Sequence, residues 1–198
     1  NSTFEEKREF YRHSIQFKDE VVSFLRQKNY HNLADHPLLT VYTGEGSFTS
    51  PKEVVVTTTK ETFHLTAQQI FINTGAETII PSIPGIEGNP DIYTSTSMLE
   101  LKELPRKLVI IGGGYIGLEY ASMYASFGSE VTVLEGHSEL IPREDRDIAE
   151  NVVEVLARKD IVFRLNTKVL SIEKLENGNT ISCRDTESGG SYVLEADA

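Results

Sequence analysis

The chain has 198 residues, enough to bury a sizeable core as one large domain or two small ones. With 39% hydrophobic and 25% charged residues it has the composition of an ordinary folded protein, neither disordered nor fibrous. Its 19 Lys and Arg against 30 Asp and Glu give a net charge of −11, which argues against nucleic acid and against an anionic membrane as partners, since both require clustered cations.

Thr3 followed by Glu6 has the spacing of a capping box, and Phe10, Phe17, Val21 and Phe24 recur at helical intervals. This predicts one long amphipathic helix from about Thr3 to Lys28, broken at Asn29-Tyr30-His31-Asn32. From Leu38 to Asn73 the period becomes strand-like. Leu39–Tyr42, Val54–Thr57 and Thr62–Leu65 predict a small antiparallel meander, separated by Gly44-Glu45-Gly46 and by Ser50-Pro51. Gln69–Asn73 predicts a continuous apolar strand that stops at Thr74-Gly75. The prolines and glycines between Ile79 and Pro90 exclude regular structure there.

After Pro105 the pattern changes to alternating strand and helix. Lys107–Ile111 and Glu130–Leu134 predict buried strands, with a helix over Leu118–Phe127 stopped by Gly128. A second helix is expected over Arg146–Lys159 and a third strand over Ile161–Phe163. Residues 167–195 predict two or three antiparallel strands turning at Asn177-Gly178 and Gly189-Gly190. The fold class is therefore α/β: a parallel, Rossmann-like sheet with an antiparallel β-meander, preceded by a long helix and a second meander. The expected domains are residues 1–104 and 105–198.

The segment Gly112-Gly113-Gly114-Tyr115-Ile116-Gly117 sits between a predicted strand and a predicted helix, the context in which G-x-G-x-x-G binds dinucleotides. Gly112 permits the tight turn, Gly114 lets a pyrophosphate approach the backbone, and Gly117 lets the helix pack against the sheet. The helix N-terminus then offers N–H groups and partial positive charge to the phosphates. Glu135, at the end of the second strand, is placed to accept hydrogen bonds from the ribose hydroxyls. Gly136-His137-Ser138 supplies no Arg or Lys for a 2′-phosphate, so NAD (NADH) is expected in preference to NADP (NADPH).

The string from Gly112 to Ala121 is similar to the NAD(P)H fingerprint of the glutathione reductase, dihydrolipoamide dehydrogenase and mercuric reductase family, the class I pyridine nucleotide-disulfide oxidoreductases. Phe71–Pro81 resembles the strand and Thr-Gly turn that precede that fingerprint. Gln27–Asp35 and Leu140–Ala149 resemble the reactive-chlorine-resistance branch, relatives of mercuric reductase associated with NADH-dependent copper(II) reduction. The resemblance implies that Tyr115 is the aromatic gate over the flavin, and that Glu119 lies by the nicotinamide. It implies that Thr74 and Gly75 pass close to FAD and that the Gly46 backbone meets the flavin adenine; Gly113 and Ile116 belong to the NAD loop. A full-length parent would then be a flavoprotein that passes hydride from NADH to FAD and electrons through a dithiol to a metal or other acceptor.

The family's N-terminal FAD glycine motif and its C-x-x-x-x-C pair are absent from these residues, and Cys183, the single cysteine, allows no internal disulfide. The chain is expected to be an internal piece, inactive alone, purifying without flavin, with the sheet's next strand starting just past Asp197. The parent is expected to be a homodimer through a C-terminal domain. A cytoplasmic setting suits the single cysteine, the absence of a signal-peptide pattern and the lack of a bilayer-length apolar run. Two alternatives remain open on the residues alone: a flavin-free NAD dehydrogenase, and a non-catalytic NAD-binding module. No spacing among the five histidines points to a metal site; His31 and His36 read as a loop pair, and Cys183, in strand parity with Ile181, as a small core residue.

Overall fold

The computed structural model describes residues 2–198; Asn1 lies outside the described residues. The chain forms two compact units, one of residues 17–77 and one that joins the residues up to 16 with residues 78–198. Composition predicts a boundary near 104 instead. The difference arises because Tyr11, Met98 and Leu104, all before that boundary, enter the same core as Leu108, Leu118 and Val131 after it.

The long helix α1 runs Phe4–Ala34. Its capping box is formed: Thr3 N donates to Glu6 Oε2 at 2.6 Å, and Glu6 N donates to Thr3 Oγ1 at 3.3 Å. The helix continues through the break expected at 29–32. It ends just before His36-Pro37, where proline lacks an N–H and disfavours helical geometry in the residue before it. The predicted apolar stripe has the right spacing but stays on the surface, with Phe10, Phe17 and Phe24 exposed by 65%, 68% and 63%. Tyr11 is the buried residue of this helix.

In the smaller unit β1 (Glu45–Ser50), β2 (Glu53–Thr57) and β3 (Thr62–Thr66) form an antiparallel sheet in chain order. The first strand is not the predicted Leu39–Tyr42, which is irregular. The polar run from Glu45 pairs instead with Val54–Thr57 as an edge strand exposed on both faces. Of Gly44-Glu45-Gly46 only Gly44 acts as a break, a Cβ there lying 2.4 Å from Thr57 O, while the expected break at Ser50-Pro51 is the turn between β1 and β2. The apolar run Gln69–Asn73 is not a strand either. Among the described residues no strand lies alongside it to pair its N–H and C=O groups, and Phe71 and Ile72 are exposed.

The larger unit contains a short helix, α2 (Ser95–Met98), with a capping box from Thr94 that sequence patterning does not predict. There follow β4 (Lys107–Ile111), α3 (Tyr115–Phe127), β5 (Glu130–Leu134), α4 (Arg146–Ala157) and β6 (Val162–Arg164). The strands form a parallel sheet in the order β4-β5-β6, with Lys107 opposite Glu130 and Leu134 opposite Arg164. Then β7 (Thr167–Lys174), β8 (Asn179–Asp185) and β9 (Ser191–Ala196) make an antiparallel meander.

Side-chain alternation divides the core. Leu108, Val131 and Val133 pack with Leu118, Ala121 and Tyr124 of α3 and Leu156 of α4. Val109 and Leu134 face the other way, onto Ile172, Ile181, Cys183 and Ala196 of the meander. Helices thus cover one face of the parallel sheet and the meander covers the other. On the edge of β4 away from β5, Ala198 N donates to Lys107 O at 3.4 Å and Val109 N to Ala198 O at 3.0 Å, a parallel exchange about Leu108.

Two clusters fix the start of α1 in this unit. The Tyr11 hydroxyl donates to Leu101 O at 2.7 Å, and the Tyr124 hydroxyl lies 2.9 Å from that of Tyr11 and 3.0 Å from Met98 O. Burial, with the Tyr11 contact, pushes the Tyr124 phenol far above its ordinary range. On the surface, Arg12 and Arg8 grip Glu103 at 2.8 and 2.6 Å and hold its carboxyl down to about 2.

Candidate nucleotide-binding site

The glycine segment joins β4 to α3. Gly112 has φ +112°, a conformation that L side chains rarely adopt, and its N–H donates to Leu134 O at 2.8 Å, tying the turn to the end of β5. Gly117 needs its hydrogen for space: a Cβ there would stand 2.2 Å from Gly112 O. Gly113 is also crowded, with a Cβ 2.2 Å from Leu140 Cδ2, a contact that sequence reasoning does not foresee. Gly114 is different. It is the N-cap of α3, with φ −77° and no side-chain cap bond, and a Cβ on it would meet no atom within 4 Å. The N–H groups of the first turn of α3 therefore face an open surface at the positive end of the helix dipole.

Glu135 follows β5 with its backbone pinned on both sides: its N–H donates to Arg164 O at 2.9 Å and its carbonyl accepts from Thr167 N at 2.8 Å. The side chain is only 13% exposed. Oε2 accepts from Gly113 N at 2.7 Å; Oε1 accepts from His137 N at 2.9 Å and lies 2.5 Å from His137 Nδ1. Burial alone would raise the Glu135 carboxyl, but the Gly113 and His137 hydrogen bonds outweigh it and hold the group below the ordinary carboxylate range. A carboxylate charge thus stands beside the uncapped N-terminus of α3. An anion-accepting surface next to a hydroxyl-accepting carboxylate is what a ribose-phosphate requires.

Tyr115 and Ile116 are exposed on the first turn of α3, and the Tyr115 hydroxyl donates to Glu144, which raises its phenol. Glu119 is exposed one turn on. Gly46 lies in β1 opposite Val56, and Thr74 with Gly75 (φ +77°) lies in an exposed irregular segment. These three belong to the smaller unit, and the glycine loop and Glu135 to the larger. A separate polar cleft of about 370 Å³ opens at the end of β6, lined by Arg164, Thr167, Asp185, Ser188 and Tyr192. There the Arg164 guanidinium lies 5.9 Å over the Tyr192 ring. Sequence reasoning names none of these residues, nor the role of His137; position at a strand end is the one signal that marks Arg164. Among the described residues no group of three or more His, Cys, Asp or Glu is placed to hold a metal ion, and no helix is long and apolar enough to cross a membrane.

Residues 2–198 match the family described as pyridine nucleotide-disulphide oxidoreductase. The chain is 49% identical over 164 residues to the probable pyridine nucleotide-disulfide oxidoreductase RclA of Escherichia coli, covering 83% of this chain and 37% of that protein. It is 36% identical over 182 residues to the mitochondrial dihydrolipoyl dehydrogenase of Pisum sativum, covering 91% and 36%. A solved structure of the Cu(II) complex of the HOCl-induced flavoprotein disulfide reductase RclA from Escherichia coli superposes with a TM-score of 0.85 at 45% identity, covering 94% of this chain and 41% of that one. The chain therefore spans a little over a third of the length of the curated relatives it matches. Its α/β architecture is that of the FAD- and NAD-binding folds of these enzymes, and the chain belongs to the pyridine nucleotide-disulphide oxidoreductase family.

Proposed function

We propose that this chain carries the NADH-binding portion of a flavoprotein oxidoreductase, built as a Rossmann-like domain over residues 105–198 with a flavin-domain segment before it. The observation that carries it is the Glu135 carboxylate, held ionised against Gly113 beside the uncapped N-terminus of α3. The residues present fit a dinucleotide. Gly114 leaves room for the pyrophosphate, the first turn of α3 donates to it, and Glu135 takes the ribose hydroxyls. Gly112, Gly113 and Gly117 keep the turn closed beneath it. Bound NADH supplies a hydride to FAD in the full-length parent. Tyr115, exposed at the rim, is assigned as the gate over the flavin, and Glu119 as the carboxylate by the nicotinamide.

The fit to FAD is partial. Gly46, Thr74 and Gly75 offer it backbone contacts from the smaller unit, so we expect the isolated chain to purify without flavin. In the parent, electrons pass onward through a dithiol to a metal ion, a disulfide or another acceptor; RclA, captured with Cu(II), makes a metal acceptor the leading case. We expect the parent to be cytoplasmic and homodimeric, with no nucleic-acid or membrane partner.

The test is calorimetric titration with NADH and NADPH. NADH should bind the tighter of the two. Glu135→Ala should weaken NADH by about one to two orders of magnitude, from hydrogen bonds to a charged group worth roughly 1.5–3 kcal/mol each. Glu135→Arg should shift preference toward NADPH. Equal binding of both coenzymes, unchanged by Glu135→Ala, would make Glu135 a surface carboxylate and remove the reading.

A further inference from the structure

The polar cleft at the end of β6 lies on the other face of the parallel sheet from α3. Arg164 stands opposite Leu134 in the ladder, so both side chains leave the sheet toward the meander. The helix whose N-terminus forms the nucleotide site packs on the opposite face.

The cleft is organised without a ligand. Thr167, 5% exposed, donates from Oγ1 to Leu165 O at 3.1 Å, which leaves the Tyr192 hydroxyl to donate to Thr167 Oγ1 at 2.8 Å. The ring of Tyr192 is thereby fixed, and the Arg164 guanidinium lies over it. Other arginines of this chain are paired: Arg8, Arg12, Arg146 and Arg158 reach glutamates at 2.6–2.8 Å. Among the described residues Arg164 has no such carboxylate, and its contact is the Tyr192 ring. The one carboxylate among the lining residues, Asp185, is turned to another task. Its Oδ1 accepts from Ser188 N at 2.8 Å and Glu187 N at 2.9 Å, closing the turn before β9, and these bonds hold the carboxyl below its ordinary value. A planar fork of donors is therefore left unmatched, with the second oxygen of Asp185 left as an acceptor beside it.

We propose that this cleft is a second ligand site, for a small organic anion that carries a hydroxyl beside its charged end, either a hydroxycarboxylate or a phosphate ester of a polyol. The anionic group takes the Arg164 fork, whose geometry matches a carboxylate or phosphate bidentately. The hydroxyl donates to Asp185 Oδ2. Asp185 repels an anion that has no donor to offer, so the hydroxyl is what makes the site selective. The volume of about 370 Å³ falls at the lower end of the about 300–1,000 Å³ spanned by small-molecule sites, which suits a metabolite of this size. The site stands independently of the coenzyme reading.

The experiment titrates the isotope-labelled chain with glycerate, with glycerol monophosphate and with propionate, which has no hydroxyl. NMR follows the backbone amides of Ser188, Gly190 and Ser191 and the side-chain N–H of Arg164. At least one of the two hydroxylated anions should saturate these signals in the millimolar range, at least about fivefold more tightly than propionate. The tighter of the two tells the acid from the ester. Arg164→Gln should weaken it at least about tenfold, and Arg164→Lys, which keeps the charge and loses the fork, should fall between. Asp185→Asn keeps an oxygen for the turn and puts a donor in place of the other, so it should abolish the advantage over propionate. Arg164 is exposed, and signals away from the cleft should stay in place in its variants. Saturating NAD⁺ should leave the anion bound. Four results each overturn the proposal: no saturable shift, a shift untouched by Arg164→Gln, an advantage over propionate that is missing or survives Asp185→Asn, and displacement by NAD⁺, which would make the cleft an arm of the dinucleotide site.

Discussion

Gly114→Ala and Gly117→Ala add the same methyl group to the same motif, and the structure predicts that they fail in different ways. At Gly117 the new Cβ would stand 2.2 Å from Gly112 O, well inside the 3.0 Å below which something must shift, and the obstacle is backbone. Either α3 lifts from β4 or the turn is pushed out, and overpacking of this kind costs about 1–3 kcal/mol. At Gly114 the backbone is at φ −77°, which alanine accepts, and the methyl meets nothing within 4 Å. The free protein should lose no more than about 1 kcal/mol, the difference between glycine and alanine at an N-cap. That methyl, however, stands on the face where the pyrophosphate must approach the N–H groups, so NAD affinity should drop at least about tenfold. Urea unfolding followed by the fluorescence of the 8 tyrosines, the chain having no tryptophan, gives the first quantity, and calorimetry gives the second. If Gly114→Ala is as destabilised as Gly117→Ala, or binds NAD like wild type, the division of labour within the loop is wrong.

Two further outcomes concern the anchoring of α1. Tyr11→Phe should cost about 1–3 kcal/mol in urea unfolding, because Leu101 O loses its donor while Tyr124 can still donate to Met98 O; an unchanged midpoint would show that the hydroxyl is dispensable. Glu103, depressed to about 2 by Arg12 and Arg8, adds stability that is present above the unfolded carboxylate value and lost as pH falls through about 2. Glu103→Gln should therefore flatten stability against pH over that acid range, and by less at high salt because the group is exposed; an identical acid limb in the variant refutes the pairing.

What the sequence makes legible follows from where each structural preference originates. Lys107–Ile111, Glu130–Leu134 and the turn at Gly128 are readable because strand run, helix and left-handed stop lie within a few residues of one another; Gly128 has φ +105° as the pattern requires. Leu39–Tyr42 and Gln69–Asn73 have the same local character but are not strands, since a ladder needs a partner and composition cannot say whether one lies alongside. The α1 stripe teaches the same point: periodicity identifies an apolar face, not what covers it. The compact unit that joins the residues up to 16 with 78–198 is equally hidden, because Tyr11 and Met98 reach Tyr124 through contacts that no linker composition reveals.

The site divides along the same line. Gly112, Gly114, Gly117 and Glu135 stand out because backbone geometry sets their spacing, and β5 has to end where β4 turns for a carboxylate to reach the loop. The contacts of Gly113 with Leu140 and of His137 with Glu135 depend on rotamers and on chain brought in from beyond the motif. Gly136-His137-Ser138, lacking Arg and Lys, is read from the sequence as favouring NAD over NADP. The structure places its imidazole 2.5 Å from Glu135 Oε1, a contact that the composition of the tripeptide does not announce.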